Sequence, residues 1–219
     1  LYFHGGGWVI GDLDTCDAVC REISVLGNVT VISVDYRMAP ESIYPAAVED
    51  CYAALIWASE NTELLKANGK LGVAGESAGG NLSAVMALKA RDLKGPNIDL
   101  QCLLYPVTDC DLTRQSYEDN GRGFLLETQS MHWFWDIYCP NEEKRKENYA
   151  SPLLSTNLSN LPQAFVATAE FDPLRDEGEA YARALETAGA KVIYKCYEGL
   201  VHDFLSTATA FESSRQGLL

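Results

Sequence analysis

The chain has 219 residues, 47% hydrophobic and 22% charged, which suffices for one sizeable core without staples and excludes collagen, coiled coil and intrinsic disorder. Its 17 basic and 31 acidic residues give a net charge of −14, a field that repels phosphate backbones and anionic lipid and argues against nucleic-acid or membrane-surface partners. No apolar run approaches the ~18 residues of a spanning helix, so no membrane span is expected.

Strand-like and helix-like segments alternate along the chain. Leu1-Tyr2-Phe3 reads as the inside of a strand, with no Met before it, and leads into His4-Gly5-Gly6-Gly7-Trp8. Residues 28–35, with Val29, Val31, Ile32 and Val34, have the β-branched content of a strand, and Ala46–Glu60 reads as a helix opened by Pro45. Residues 70–74 form a short strand, Gly75, Gly79 and Gly80 a turn, and residues 81–91 a helix. Residues 100–105 are a strand closed by Pro106. Residues 164–168 and 191–197 are two more, with a helix at 174–188 between them. This alternation predicts an α/β fold: a mostly parallel sheet flanked by helices. Residues 107–161 break the rhythm, with an aromatic helix at Thr128–Tyr138 and a charge run from Glu142 to Glu147. The charge run reads as a solvated face. The aromatics read first as core packing and second as the wall of a substrate pocket.

Seven cysteines occur: Cys16, Cys20, Cys51, Cys102, Cys110, Cys139 and Cys196. Their odd number, apolar settings and lack of any C-x-x-C predict buried reduced thiols, and with them a cytoplasmic location. Only His4, His132 and His202 can supply an imidazole.

Gly75-Glu76-Ser77-Ala78-Gly79 is a G-x-S-x-G pattern set between a strand and a helix. A serine on so sharp a turn takes a strained backbone, and the flanking glycines remove side chains that would collide. The hydroxyl is then lifted to the C-terminal edge of the sheet, where the following helix N-terminus and the Ala78 amide face a developing anion. The three glycines after His4 free backbone amides for the same oxyanion, with His4 read as holding the loop rather than as a base. His132 lies mid-helix among aromatics and reads as a packing or surface residue. His202 follows a strand on the same edge as Ser77, and Asp172 follows another. Asp176 and Glu177 read as balancing charge at a helix N-terminus. The order Ser77, Asp172, His202 suits a nucleophile, a base and the carboxylate that orients it.

The chain resembles the hormone-sensitive-lipase-like family of α/β-hydrolase esterases, also called bacterial family IV. The likeness is carried by residues 4–8 (HGGGW), 35–41 (DYRMAPE), 45–50 (PAAVED), 75–81 (GESAGGN) and 172–176 (DPLRD) and runs along essentially the whole chain. It implies Ser77 as nucleophile, His202 as general base and then acid, Asp172 as its orienter, and the amides of Gly6, Gly7 and Ala78 as the oxyanion hole. It also implies that residues 1–219 are one catalytic domain, N-terminally truncated, with the cap helices and first strands absent. Two residues depart from the family pattern: Glu76 stands where Asp is common, and Asp203 follows His202 where Gly is usual.

The expected activity is a serine carboxylesterase acting on small esters of short-to-medium acyl chain through an acyl-enzyme, with no metal or organic cofactor. The alternatives are a deacetylase or amidase on the same scaffold, or a receptor-like protein that uses the pocket to bind. Family dimers suggest a homodimer through the strand at 191–197.

Overall fold

Parallel strands cannot be joined by tight hairpins, so each pair needs a crossover that returns the chain to the same end of the sheet. The computed structural model, which describes residues 1–207, shows this throughout. In chain order the elements are β1 (Tyr2–Phe3), α1 (Leu13–Gly27), β2 (Ser33–Val34), α2 (Ala46–Glu60), β3 (Gly72–Glu76), α3 (Ala78–Asp92) and β4 (Leu100–Leu104). Then come α4 (Gln115–Asp119), α5 (Thr128–Tyr138), α6 (Glu142–Arg145), β5 (Gln163–Phe171), α7 (Arg175–Thr187) and β6 (Val192–Val201). The strands form one six-stranded sheet in the order β2-β1-β3-β4-β5-β6, with every pairing parallel. β6 stands at one edge and β2 at the other.

Alternation along the strands sends side chains to two covered faces. Tyr2, Leu104 and Ala167 pack with Cys16, Val19 and Cys20 of α1 and with Phe204 and Leu205 of a closing 3-10 turn. On the opposite face Phe3 and Val73 pack against Cys51 and Leu55 of α2 and Leu82, Val85 and Met86 of α3. Leu103 and Val166 meet Tyr181 and Leu185 of α7 on that same face. α3 is buried almost throughout, as a helix wedged between sheet and neighbours must be. No helix among the described residues is long and apolar enough to cross a membrane. All seven cysteines are free thiols.

Several element boundaries differ from those predicted. The strand expected at 28–35 is confined to Ser33–Val34, because Asn28 ends α1 in the left-handed conformation and the Val29 amide donates to the Ser24 carbonyl. That amide therefore caps the helix instead of joining a ladder. α1 itself has no counterpart among the predicted elements. Its signal is the reciprocal pairing of Asp12 and Thr15, in which the Asp12 carboxylate accepts from the Thr15 amide at 2.8 Å and the Asp12 amide donates to the Thr15 hydroxyl at 3.0 Å. α3 begins at Ala78 instead of near residue 81, so Gly79 and Gly80 lie inside the helix and not in a turn. β5 and β6 extend beyond 168 and 197, to Phe171 and Val201.

A methyl group at Gly79 would overlap the Phe3 carbonyl, and one at Gly80 would press on Pro106. Gly79→Ala must therefore push α3 away from β1, and overpacking against backbone has no soft side chain to absorb it. The variant is expected to lose more than about 5 °C in Tm or to fail to fold, as read by thermal denaturation.

Candidate active site

The turn from β3 to α3 leaves one conformation for Ser77. Its φ and ψ are 53° and −117°, a region that costs a non-glycine residue on the order of 1–3 kcal/mol. The surrounding bonds fix it there. The Ser77 amide donates to the Leu104 carbonyl of β4 at 2.9 Å, and the Ser77 carbonyl accepts from Asn81 at 3.0 Å and Val107 at 3.2 Å. A methyl at Gly75 would strike the Gly79 carbonyl. The hydroxyl so placed stands at the C-terminal end of the sheet, beside the unpaired first amides of α3.

β5 and β6 run parallel to β3 and end at the same edge, delivering Asp172 one residue past Phe171 and His202 one residue past Val201. His202 Nδ1 lies 2.7 Å from Asp172 Oδ2, and His202 Nε2 lies 3.0 Å from Ser77 Oγ. An ionised carboxylate only accepts, so Nδ1 carries the proton and Nε2 presents its lone pair to the serine hydroxyl. The second Asp172 oxygen accepts from the Leu174 amide at 2.9 Å, which stops the carboxylate from rotating. Burial works against a charged imidazole, yet Asp172, Asp203 and Glu76 outweigh it and hold His202 above its usual value. Of the other two histidines, His132 is exposed on α5 and His4 is buried behind the glycine loop.

His4 anchors that loop. Its Nδ1 is 2.8 Å from the Gly5 carbonyl, and its ring stacks on Tyr36 at 4.3 Å. The Tyr36 hydroxyl donates to the His4 carbonyl at 2.7 Å. Burial lowers the His4 pKa, which suits a neutral brace. Gly6 and Gly7 have φ of 97° and 59°, values that L side chains rarely adopt. A methyl at Gly5 would sit 3.4 Å from the Ser77 side chain, and one at Gly7 would overlap the Phe134 ring. The loop is thus pressed between the serine and α5. Met131, Trp135 and Tyr138 of α5 are buried in the core, as expected, and Phe134 lies against Gly7. Trp8, next after the loop, stacks on Tyr138 at 4.1 Å. The Trp8 carbonyl accepts from the Ala39 amide, and Arg37 donates from Nε and Nη2 to the two Asp50 carboxylate oxygens of α2, each at 2.8 Å.

Residues 1–206 match a family described as alpha/beta hydrolase fold. The chain is 46% identical over 213 residues to the carboxylic ester hydrolase LipN of Mycobacterium tuberculosis, covering 94% of this chain and 57% of that protein. It is 40% identical over 223 residues to an ethyl acetate hydrolase of Pseudomonas putida, covering 100% of this chain and 70% of the other. The hyperthermophilic esterase from the archaeon Pyrobaculum calidifontis superposes with a TM-score of 0.94 at 43% identity, over 99% of this chain and 72% of that one. The chain belongs to the α/β-hydrolase family, in its hormone-sensitive-lipase-like branch. It spans little more than half the length of LipN and about seven tenths of the other two.

In this hydrolase several residues near the site have partners that the sequence reading did not assign. Glu76 is buried and ties two strands to the glycine loop: it accepts from the Tyr2 hydroxyl at 2.5 Å and the Gly5 amide at 3.2 Å. Burial raises its pKa, with Asp203 adding and the Tyr2 and Gly5 bonds opposing. The segment after β4 clamps the Asp172 loop. Ser116 Oγ donates to the Pro173 carbonyl at 2.5 Å, and Asn120 Nδ2 reaches the Glu170 and Asp172 carbonyls at 3.2 and 3.4 Å. Asp176 and Glu177 lie in the first turn of α7, as expected, and also serve this clamp. Asp176 accepts from the Ser116 amide at 2.8 Å. Glu177 is fully buried and accepts from the amides of Thr108 and Asp109 at 2.7 and 3.2 Å and from the Tyr117 hydroxyl at 2.9 Å.

Burial pushes the Glu177 carboxyl up to about 8 from its usual 4.5, although those three bonds pull the other way. Between these values the folded hydrolase holds a proton that the unfolded chain has released. Stability from this group is therefore complete below pH 4.5 and is lost as pH rises through about 8. Glu177→Gln keeps the acceptor for the two amides and removes the titration. Its Tm relative to the native chain is expected to rise by a few °C between pH 5 and 8.5, as read by paired thermal melts across that range.

Proposed function

We propose that this chain is a serine carboxylesterase that hydrolyses small esters of short-to-medium acyl chain through an acyl-enzyme. The observation that carries the reading is the relay of Ser77 Oγ to His202 Nε2 at 3.0 Å and His202 Nδ1 to Asp172 at 2.7 Å, set beside the glycine loop. A hydroxyl is a poor nucleophile until a base takes its proton as it attacks. His202 does so, and Asp172 holds the imidazole in the right tautomer and stabilises the imidazolium that forms. The ester carbonyl oxygen becomes an anion, which the amides of Gly6, Gly7 and Ala78 receive. Because these donors are fixed before the reaction, little reorganisation opposes them. His202 then gives its proton to the leaving alcohol. Water repeats the sequence on the acyl-enzyme and frees Ser77.

The ester class is supported by the relatives, which include an ethyl acetate hydrolase, and by Phe134 lying against Gly7 of the glycine loop. A receptor-like reading is disfavoured because an imidazole within hydrogen-bond reach of the serine is what turnover needs and ligand binding does not. We further propose that residues 1–219 act as a single catalytic domain without organic cofactor or metal. β6, with Ile193 exposed at the sheet edge, is the proposed face for a homodimer.

The test is hydrolysis of p-nitrophenyl esters of increasing acyl length. Ser77→Ala is expected to lower kcat by about ten-thousand-fold or more, and Asp172→Asn by about a hundred- to ten-thousand-fold. Hydrolysis that survives Ser77→Ala would overturn the mechanism. Turnover of an anilide with none of the corresponding ester would favour the amidase alternative.

A further inference from the structure

Asp203 has no part in the relay, yet its carboxylate is fixed against Tyr105, the tyrosine whose ring meets the imidazole. It follows His202 directly, at φ of 59°. Its Oδ2 accepts from the Ser206 hydroxyl at 2.9 Å, and its Oδ1 lies 3.4 Å from the Tyr105 hydroxyl. Tyr105, at the end of β4, is itself buried and turns its ring edge-on to His202 at 4.9 Å. One residue therefore touches both the base and the extra carboxylate. Two hydroxyls, one for each oxygen, hold that carboxylate in place.

The groups that face His202 come from every strand end around it. β3 brings Ser77 and the buried Glu76, whose partners are Tyr2 of β1 and the Gly5 amide. β4 brings Tyr105, kept as the neutral phenol by burial and by the neighbouring carboxylates Glu76 and Asp203. β5 brings Asp172, and the residues after β6 bring Asp203 and the ring of Phe204, which packs on Tyr105 at 5.2 Å. The charged groups that bear on the imidazole, Asp172, Asp203 and Glu76, are all acidic. Asp172 is consumed by orientation, and Glu76 is tied to the glycine loop. Asp203 bears on the relay through its field and through Tyr105, whose hydroxyl donates to it.

We propose that Asp203 is a positioning residue for the proton transfer: its fixed carboxylate stabilises the protonated form of His202 and so sets the lower pH bound of esterase activity. The proposal rests on the reading of Ser77, His202 and Asp172 as the catalytic relay. Its rival is purely conformational. Aspartate tolerates the left-handed region better than most residues, so Asp203 would be there only to make the bend into the 3-10 turn. Asparagine tolerates that region equally and keeps an acceptor for Ser206, but it carries no charge. The conformational reading predicts that Asp203→Asn behaves as the native protein. The electrostatic reading predicts that it does not.

The experiment compares kcat/KM against pH, with p-nitrophenyl acetate, for the native chain, Asp203→Asn and Asp203→Gly. Glycine relieves the backbone and guards against a variant that fails to fold. Loss of the negative charge makes the imidazolium easier to deprotonate. In both variants the acid limb should move to lower pH by about half to one unit. In parallel, the ring protons of the three histidines are titrated by NMR, assigned by His4→Gln and His132→Gln. The His202 midpoint should fall by the same amount in Asp203→Asn. An acid limb and a His202 midpoint that both stay within about 0.2 unit of the native values would overturn the proposal. A native chain with no ester hydrolysis but a His202 midpoint that falls in Asp203→Asn would overturn the esterase reading and leave the field of Asp203 established.

Discussion

Space in the turn between β3 and α3 is what the rest of the site depends on. α3 lies so close to β1 that the Phe3 carbonyl occupies the position a side chain at residue 79 would need, and Gly75 faces Gly79 at similar range. With no room on either side, the chain reverses direction within one residue, and Ser77 takes the backbone conformation that lifts its hydroxyl out of the sheet. The tight contact has a second effect. Because Phe3 is followed directly by His4, the same approach that strains Ser77 also brings the glycine loop against it. Ser77 and the glycine loop, the proposed nucleophile and anion donors, are thus set by one packing contact between β1 and α3, and not by two independent loops.

The parallel sheet supplies the other half of the geometry. All six strands end on the same edge, so residues placed just after β3, β5 and β6 meet without long loops. What converts proximity into a relay is restraint. Asp172 is gripped by the Leu174 amide, its loop by Ser116 and Asn120, and their segment by the buried Glu177. Each bond is modest alone. In series they prevent the carboxylate from drifting, which matters because a misplacement of about 1 Å can cost a hundredfold in rate. The acidic groups also accumulate around one imidazole, and this favours the charge state it passes through in the proposed mechanism.

The sequence made the relay residues legible because each follows an apolar strand, and strand endings survive errors of a few residues in the boundaries. Ser77, Asp172 and His202 fall where they were expected, although β5 and β6 run three and four residues further than predicted and α3 starts three residues earlier. The collision that Gly79 avoids is the expected one, but Gly79 and Gly80 meet it from inside a helix and not from a turn. Contacts across long stretches of chain were not legible. Glu177 meets Thr108 at a separation of 69 residues, and at the start of α7 it looks like ordinary helix-terminal charge. Tyr105 gave no signal either, since a tyrosine before Pro106 reads as the end of a strand and not as a ring against His202. α1 is hard to read because its apolar residues do not fall on one face: Cys16, Val19 and Cys20 are buried while Leu13, Val25 and Leu26 are exposed.

The most direct test of this account is covalent capture of the nucleophile. The native chain is incubated with a fluorophosphonate near pH 8, digested, and the modified peptide is identified by mass spectrometry. One phosphonyl group on Ser77, with its formation slowed by at least about a thousandfold in His202→Ala, is the predicted result. An adduct on another residue, or an unmodified Ser77 in the folded native chain, would contradict it.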